Sequence, residues 1–476
     1  MKSNGRSNTQ QVQSPGKQET SESTGQLPRG TIIVQSGISN PNGSKLQFQR
    51  CASYIATFSV TFLHLTVILI TYWYFWSSIY LAFRFLVTSL IRSESSTVNL
   101  WEYFANHEKI LFFASIYSIY YYLDWGVEDM GGHQFKFVRN LFVWKYLAHY
   151  FPIRMVLSDE LVDYSKQHAK QLNRTDEDTF YGLPSDRTYL LGFHPHGLLS
   201  FGASVNFLTE ANHISQTFPR IKPWVATLGA QFKFPILREF MLFIGTISAS
   251  RKGLFYLLDP DNENNKGNLV VVVVGGAPEV LNAHPGNYTL TIRRRYGFFK
   301  LAMQTGASLI PCISFGEPGV YDQISNPPGS VLRRMQNFFM DSNYFLCPSI
   351  YPIAWGPFPR PRPINTVINL LDECQLSSGD LLWNPVQCTA NHLRSSLVRC
   401  ISFGEPGIFV QVWNPPGSKL RRLQEFVTAP IPGEHIPNPT SVQVEEIKQL
   451  YLERLEGLFE RYKDVFDPET SEMVFI

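Results

Sequence analysis

Hydrophobic and polar positions divide this chain of 476 residues into regions of different character. Residues 1–50 are rich in Ser, Gln, Asn, Gly and Pro, so they cannot bury a core and are predicted to form a disordered polar tail. Residues 51–83 carry no Asp, Glu, Lys or Arg. From Asp124 onward, short apolar runs alternate with polar stretches that contain Gly and Pro, which is typical of a globular domain.

The uncharged run of residues 51–83 is long enough to cross a membrane. As a helix it would measure about 50 Å, whereas the hydrocarbon core of a bilayer is ~30 Å thick. One tilted span or a hairpin that dips into the bilayer would accommodate it; a soluble hydrophobic core is the alternative. A second apolar run, Ile110–Leu123, is short and fits a re-entrant or a buried helix. We therefore predict a membrane-embedded helical region over residues 51–123.

Short apolar runs with turn residues at their ends predict the strands of a sheet that is covered on both faces. The clearest runs are Tyr189–Leu191, Gly245–Ala249 and Leu269–Val274, and a helical pattern over Phe298–Gly306 follows them. Strands that alternate with helices are typical of a mostly parallel sheet. The sequence thus predicts an α/β fold with helices on both faces of the sheet.

Charge and cysteine usage exclude several classes of function. The formal net charge is only +2 and no long basic block is present, which argues against a nucleic-acid partner. The six cysteines show no CxxC spacing and no paired framework, as expected in a reducing compartment. No set of residues has the spacing of zinc ligands, so we predict no metal.

The segment Phe193–Gly197, Phe-His-Pro-His-Gly, places two imidazoles directly after a predicted strand. In α/β proteins the chemistry gathers beyond the carboxyl ends of the strands. A histidine at such a turn suits a general base that takes a proton from a hydroxyl group. His196 is the first candidate for this base, and His194 would orient it or substitute for it. Two structural turn histidines, or half of a metal site, are the alternatives.

A second turn, Gly275-Gly-Ala-Pro-Glu279, also follows a predicted strand and is expected at the same edge of the sheet. Glu279 is a candidate carboxylate to orient an imidazole, as the third group that holds a catalytic base. The backbone amides of Gly275 and Gly276 could stabilise negative charge on a reacting carbonyl oxygen. The alternative for Glu279 is a surface acid in the first turn of the next helix.

A series of short motifs, taken in chain order, resembles the type-2 diacylglycerol acyltransferase family, which includes monoacylglycerol and wax-alcohol acyltransferases. The resemblance runs from about residue 100 to 367 and resumes near Thr428. It implies a glycerolipid-acyltransferase-like catalytic α/β domain over residues 124–367, with residues 428–476 as its C-terminal part. The motifs are Tyr120–Asp124, Gly131–Gly132, Val138–Lys145, Tyr150–Pro152, Phe193–Gly197, Ser250–Lys252, Gly275–Glu279, Arg295–Phe298, Ser314–Glu317, Asn326–Gly329 and Arg362–Val367.

The resemblance implies transfer of an acyl group from acyl-CoA to diacylglycerol, which gives triacylglycerol. Monoacylglycerol and long-chain alcohols are the alternative acceptors. It also implies a place in the endoplasmic reticulum membrane, or on lipid droplets, with the catalytic domain in the cytosol. Acyl-CoA is then a substrate and no cofactor is expected; a homo-oligomer is compatible with the sequence.

The same resemblance completes the set of predicted substrate-binding residues. Cations suit the phosphates of CoA, and Arg251, Lys252 and the run Arg293–Arg295, above all Arg295, are the candidates; a solvated surface charge is the alternative for each of them. Gly197, which lets the backbone pass close to a bound substrate, and Glu317, from the shared motif Ser314–Glu317, join Gly275 and Gly276 in this set.

One expected acid is missing beside the histidines. Related glycerolipid acyltransferases carry an aspartate that is separated from their histidine by four residues. Counted from His196 that place holds Phe201, and counted from His194 it holds Leu199. Neither residue is acidic, so Glu279 is the predicted replacement.

A long repeat departs from the family pattern. Cys312–Gln336 recurs as Cys400–Gln424 with 18 of 25 positions identical. Because the second copy has no histidine turn of its own, it is not a second active domain. We expect the first copy to occupy the native place and residues 368–427 to be an insertion. An active enzyme and a catalytically impaired membrane lipid-binding homologue therefore both remain open.

The last predicted element is a helix from Ser441 to Tyr462, with Ser441 as its N-cap. Apolar residues at three- and four-residue spacing give it one apolar stripe, which predicts packing against the sheet and no part in the chemistry. The stripe consists of Val444, Ile447, Tyr451, Leu455 and Leu458.

Overall fold

The fold is that of a computed structural model, which describes most of the chain beyond residue 107. The described residues are 26–36, 108–171, 182–235, 237–341, 359–369, 435–470 and 472–476, with single residues and one short piece between 47 and 87. Most of the predicted polar tail, most of the uncharged run 51–83, and the insertion beyond Asn369 lie outside the described residues.

A sheet of eight strands forms the centre of the described structure, in the order β1-β2-β9-β8-β3-β6-β4-β5. All neighbouring strands from β8 to β5 pair in parallel, and so do β2 and β9; the pairs β1–β2 and β8–β9 are antiparallel. The strands are β1 (Ile32–Gln35), β2 (Ile153–Leu157), β3 (Tyr189–His194), β4 (Lys222–Thr227), β5 (Thr246–Ser248), β6 (Asn268–Val273), β8 (Ser308–Phe315) and β9 (Ile364–Ile368).

Helices connect the strands and cover the sheet. A separate parallel pair, β7 (Tyr288–Leu290) and β10 (Met473–Phe475), joins the end of the chain to the domain. The helices are α1 (Glu108–Leu123), α2 (Lys136–Arg139), α3 (Val143–Tyr150), α4 (Asp159–Gln171), α5 (Phe201–Leu208), α6 (Ile214–Thr217), α7 (Leu237–Ile244), α8 (Arg251–Leu258), α9 (Ala277–Val280), α10 (Tyr296–Thr305), α11 (Val331–Asp341) and α12 (Ser441–Phe466).

The two faces of the sheet carry separate hydrophobic cores because neighbouring side chains of a strand point to opposite faces. In β3, Leu191 and Phe193 belong to one core, together with side chains of α3, α4 and α5. Leu190 belongs to the other core, with side chains of α8, α10 and α12. The predicted α/β fold, a mostly parallel sheet with helices on both faces, is thereby confirmed.

Two boundaries differ from the prediction. Ile32–Gln35, within the predicted disordered tail, pairs with β2 as an edge strand, because three consecutive β-branched side chains (Ile32, Ile33, Val34) pack against the two cores. At the other boundary, Ile368 ends the buried strand β9 and the side chain of Asn369 bonds that of Ser158. The strand therefore extends one residue into the predicted insertion, and Asn369 is tied to the domain by its side chain.

The first copy of the repeat supplies a central part of the sheet. Cys312 lies in β8, which is buried along its whole length, and Val331–Asp341 forms α11. The second copy lies outside the described residues.

The N-terminal helical region is described mainly through α1. Among the described residues, no helix combines the length and the apolar character that a membrane crossing requires. Aromatic hydroxyls hold α1 to the domain: Tyr117 donates a hydrogen bond to Glu239 and Tyr121 donates to the carbonyl oxygen of Phe232.

The C-terminal helix α12 packs as its apolar stripe predicts. All five stripe residues are buried, and they join the core of the α8–α10 face. The N-cap is Thr440 rather than Ser441, since the Thr440 hydroxyl accepts from the amide of Gln443 and the Gln443 side chain accepts from the amide of Thr440. This reciprocal capping box satisfies two backbone donors at the helix start.

Packing of α12 against the core of the α8–α10 face should stabilise the domain. Leu455 is fully buried in this helix, so we expect Leu455→Ala to lower the free energy of unfolding by about 2–5 kcal/mol. Thermal unfolding of the purified chain measures this, with the neighbouring exposed Glu456→Ala as the control. Equal melting temperatures for the two variants would contradict the packing described here.

Candidate functional site

Three predicted motifs meet at one edge of the sheet. His194 is the last residue of β3, Gly275 follows β6, and Glu317 follows β8. Because β6 and β8 flank β3 in parallel, the carboxyl ends of all three strands lie side by side. The candidate site is therefore the histidine turn, residues 194–200, and the loops on either side of it.

His194 is completely buried, and burial lowers its pKa to about 3. Its Nε2 lies 3.2 Å from the hydroxyl of Tyr451 on α12. Its Nδ1 is buried and has no hydrogen-bond partner within the described part of the chain. The imidazole is therefore neutral at physiological pH and is held from one side.

His196 is half-buried, and its surroundings lower its pKa to about 4, through desolvation that two backbone hydrogen bonds only partly oppose. Nδ1 lies 3.2 Å from the carbonyl oxygen of Gly197. Because a carbonyl oxygen only accepts, Nδ1 carries the proton and donates the hydrogen bond. The hydroxyl of Ser200 bonds the carbonyl oxygen of His196 and lies 3.4 Å from Nδ1. This fixes the tautomer in which Nε2 bears the lone pair, as a general base requires.

Glu279 holds the backbone of the histidine turn and does not hold an imidazole. Its Oε1 accepts from the amide of His196 at 2.5 Å and its Oε2 accepts from the amide of Thr291 at 2.8 Å. The predicted orienting role is thus replaced by an anchoring role, because the carboxylate reaches the main chain before it reaches the ring. Desolvation raises the pKa of Glu279 to about 7, opposed by these two hydrogen bonds and by the charge of Arg295.

The glycine turn after β6 is shaped by Glu279 and Arg295. A side chain at Gly275 would overlap the Glu279 carboxylate, so glycine is required there. Arg295 donates from Nη2 to the carbonyl oxygen of Gly275 at 2.6 Å, while its buried Nε has no partner among the described residues. No described residue accepts a hydrogen bond from the amides of Gly275 or Gly276, so both donors are available at this edge.

Glu317 forms a second buried anchor on the other side of the turn. Its two carboxylate oxygens accept from the amides of Phe201, at 2.6 Å, and Gly202, at 2.9 Å, which begin helix α5. Desolvation raises the pKa of Glu317 to about 7, against these hydrogen bonds. Gly197 has φ +58° and lies so close to Glu317 that a Cβ atom would clash with it. The two predicted binding residues therefore shape the turn.

Arg251 and Lys252 lie outside the turn. Both are exposed in the first turn of α8, which follows β5. In the sheet one strand, β4, separates β5 from β6, and two strands, β4 and β6, separate it from β3. Arg251 bonds the side chain of Gln304 on α10 at 3.1 Å. They lie on the same side of the sheet as α10 and so remain candidates for contact with a long substrate.

Tyr451 is the residue that the sequence pattern missed. It stands within the apolar stripe of α12, and its spacing there gave no sign of a polar contact. Its hydroxyl nevertheless reaches His194, 257 positions earlier in the chain. Among the described residues, no cluster of His, Cys, Asp and Glu has an arrangement suited to a metal ion.

Comparison with known proteins identifies related chains. The sequence model of the family described as diacylglycerol acyltransferase matches residues 103–169, 171–370 and 426–476. The match passes over residues 371–425, where the second copy of the repeat lies. No solved structure matches the chain.

Two kinds of acyltransferase are similar to the chain. The 2-acylglycerol O-acyltransferase 1 of Mus musculus is 32% identical over 361 residues, which are 75% of this chain and 84% of the relative. The diacylglycerol O-acyltransferase 2 of Danio rerio is 38% identical over 259 residues, 53% of this chain and 65% of the relative. The Homo sapiens protein of that name is 37% identical over 262 residues, 54% of this chain and 61% of the relative. The matched part is thus just under two thirds of the length of these two relatives.

The lowered pKa of His196 predicts how the imidazole reacts as the pH changes. Diethyl pyrocarbonate modifies only neutral imidazole, and an ordinary histidine with a pKa of about 6.5 loses reactivity as the pH falls through that value. Since the pKa of His196 is about 4, we expect constant relative reactivity from pH 8 down to pH 5.5. Fragment-ion mass spectrometry separates His196 from His194, which its burial should protect. A midpoint near pH 6.5 at His196 would contradict this environment.

Proposed function

The chain belongs to the diacylglycerol acyltransferase family, and we propose that it is an acyl-CoA-dependent O-acyltransferase that esterifies diacylglycerol to triacylglycerol. The observation that carries this proposal is the tautomer of His196. With Nδ1 protonated and held by the Gly197 carbonyl, Nε2 is the basic nitrogen and has no partner among the described residues. A base prepared in this way fits the deprotonation of a hydroxyl group.

In the proposed reaction the acceptor oxygen attacks the thioester carbonyl carbon while Nε2 of His196 takes the hydroxyl proton. The carbon–sulfur bond then breaks, and the proton passes from His196 to the leaving sulfur. The products are the new ester and free CoA thiol. The low pKa of His196 keeps the imidazole neutral before the reaction and makes it a weaker base than an ordinary histidine, while the imidazolium that forms is a ready proton donor to the leaving sulfur.

Negative charge on the thioester oxygen requires hydrogen-bond donors that are in place beforehand. The amides of Gly275 and Gly276 donate to no described residue and lie in the loop beside the histidine turn. Such preorganised donors stabilise a developing oxyanion without the cost of reorganisation. We assign the oxyanion-binding role to this glycine pair.

The phosphates of CoA bind best to cationic side chains, and several lie near this edge of the sheet. The Nε atom of Arg295 is a buried donor that lacks a partner among the described residues, which supports a role in binding an anion. Arg251 and Lys252 supply exposed charge on the adjacent helix α8. A planar guanidinium suits phosphate oxygens, and lysine acts as a point charge.

Monoacylglycerol is the second candidate acceptor. The relative from Mus musculus is named for acylation of 2-acylglycerol and shares a longer stretch with this chain than the two diacylglycerol acyltransferases do. A long-chain alcohol remains the third possibility that the resemblance implies. The acceptor must come from a lipid phase, so we also propose membrane attachment through residues 51–123, with the catalytic domain on the cytosolic face of the endoplasmic reticulum or on lipid droplets.

The insertion bears directly on activity. The family match resumes at residue 426, so residues 371–425 are extra relative to the family pattern. We propose that residues 124–370 and 426–476 form one catalytic unit that tolerates this insertion. The alternative is a lipid-binding protein whose catalysis the insertion impairs.

Acyl transfer from labelled oleoyl-CoA to mono- and diacylglycerol, measured in microsomes, tests the proposal. We expect ester formation by the full chain and by a variant without residues 371–425. Activity in the deletion variant alone would show that the insertion impairs the enzyme. Absence of transfer in both, with folded protein present, would contradict the enzymatic function.

Substitution of the base separates catalysis from lipid binding. His196→Ala leaves the backbone amide that Glu279 holds, so the turn stays anchored while the base is removed. We expect the rate to fall by on the order of 10²–10⁴-fold, the usual contribution of a general base, with binding of labelled diacylglycerol unchanged. The exposed His435→Ala is the control. An unchanged rate for His196→Ala would rule out this residue as the base.

A further inference from the structure

The C-terminal helix α12 reaches the end of the catalytic strand β3 through one side chain. Tyr451 is fully buried, and its hydroxyl lies 3.2 Å from the carbonyl oxygen of Gly192 and 3.2 Å from Nε2 of His194. The ring also contacts Phe298 and Phe299 of α10 edge-on, which fixes its position. A rigid hydroxyl is thus placed directly against a histidine of the turn.

The backbone of β3 is adapted to this hydroxyl. A Cβ atom at Gly192 would overlap the hydroxyl of Tyr451 and would lie 3.1 Å from Cζ of Phe298. Glycine in the middle of a buried strand costs conformational entropy and leaves no side chain to pack, so it commonly marks the close approach of another group. Here the approaching group is the Tyr451 hydroxyl.

The two contacts of the hydroxyl determine where the protons are. A carbonyl oxygen only accepts, so Tyr451 must donate its single proton to Gly192. The bond to His194 then exists only if Nε2 of His194 carries a proton and the tyrosine oxygen accepts it. Neutral imidazole has one N–H group, so Nδ1 of His194 is left with a lone pair.

We propose that Tyr451 is a positioning residue, which keeps His194 in the tautomer whose Nδ1 lone pair accepts a hydrogen bond from the bound substrate. Nδ1 is buried and has no partner among the described residues. Buried polar atoms are rarely left without a partner, so an unpaired acceptor at the site points to a donor that arrives with the ligand. Such a donor must be a second N–H or O–H group of the bound substrates, because the hydroxyl that reacts gives its proton to His196.

The titration behaviour of both groups agrees with this assignment. Burial holds the pKa of Tyr451 well above its ordinary value, so the hydroxyl keeps its proton. Burial lowers the pKa of His194 to about 3, so the imidazole stays neutral and has a defined tautomer. The assignment goes beyond the base His196, and its catalytic consequence rests on the proposed acyl transfer.

The variant Tyr451→Phe tests the positioning role, because it removes the hydroxyl and keeps the ring. We expect kcat to fall by roughly tenfold or more, as happens when the partner that fixes a histidine tautomer is lost, with the KM for acyl-CoA unchanged. Tyr462→Phe is the matched control: it lies on the same helix, is equally buried, and bonds Thr31 away from the histidines. A kcat for Tyr451→Phe equal to that of the control would overturn the proposal.

A second measurement separates this proposal from the proposed function. Magic-angle-spinning ¹⁵N NMR of the full chain labelled at histidine reports the tautomer of each ring, and His194→Gln assigns the His194 signals. We expect the Nε2–H tautomer in the unmodified chain and in Tyr462→Phe, and a tautomer mixture in Tyr451→Phe. The Nδ1–H form in the unmodified chain, or no change in Tyr451→Phe, would overturn the proposal whether or not acyl transfer is observed. The expected tautomers without any acyl transfer would leave the positioning role standing and contradict only the proposed function.

Discussion

Two buried carboxylates hold the histidine turn, and the geometry of the site depends on them. Glu279 accepts from the amide of His196, and Glu317 accepts from the first two amides of α5. A buried carboxylate is costly unless hydrogen bonds compensate it. Backbone donors offset part of that cost here without using either imidazole, so neither histidine side chain is engaged by these carboxylates.

The same burial couples the turn to pH. Desolvation raises the pKa of Glu279 and of Glu317 from 4.5 to about 7. An acid whose pKa is raised on folding favours the folded state most strongly below its unfolded pKa, and that contribution is lost as the pH rises from 4.5 to 7. Above pH 7 both groups are ionised and act purely as acceptors, which is the form that the four short backbone contacts require.

The site is assembled from distant parts of the chain because parallel strands end at one edge. β3 brings the histidines, β6 brings the glycine pair, and β8 brings Glu317. The last four residues of β8 and Glu317 belong to the first copy of the repeat, and α12 adds Tyr451 from beyond the second copy. The family match covers both parts and passes over the residues between them. The chain therefore has the parts of the site in their expected order on both sides of the insertion.

The sequence predicted the parts of the site that depend on local pattern. Apolar runs that end in Gly and Pro gave β3 and β6 and placed His194, His196 and Glu279 at one edge. It did not predict which atom Glu279 holds, since backbone amides carry no signature in the sequence. The contact of Tyr451 with His194 was not predicted, because a tyrosine at an apolar helical position has the same pattern as any other core residue. The pairing of Ile32–Gln35 with β2 was not predicted, because four residues within a polar region are too short a pattern to indicate a strand.

Hydrogen–deuterium exchange of the turn tests most directly whether the buried carboxylates hold it. We expect slow exchange at the amides of His196, Phe201 and Gly202 in the unmodified chain. We expect fast exchange at His196 in Glu279→Ala, and at Phe201 and Gly202 in Glu317→Ala, with β4 and α8 unchanged in both variants. Equal exchange at these amides in the variants and the unmodified chain would contradict the claim that Glu279 and Glu317 position the site.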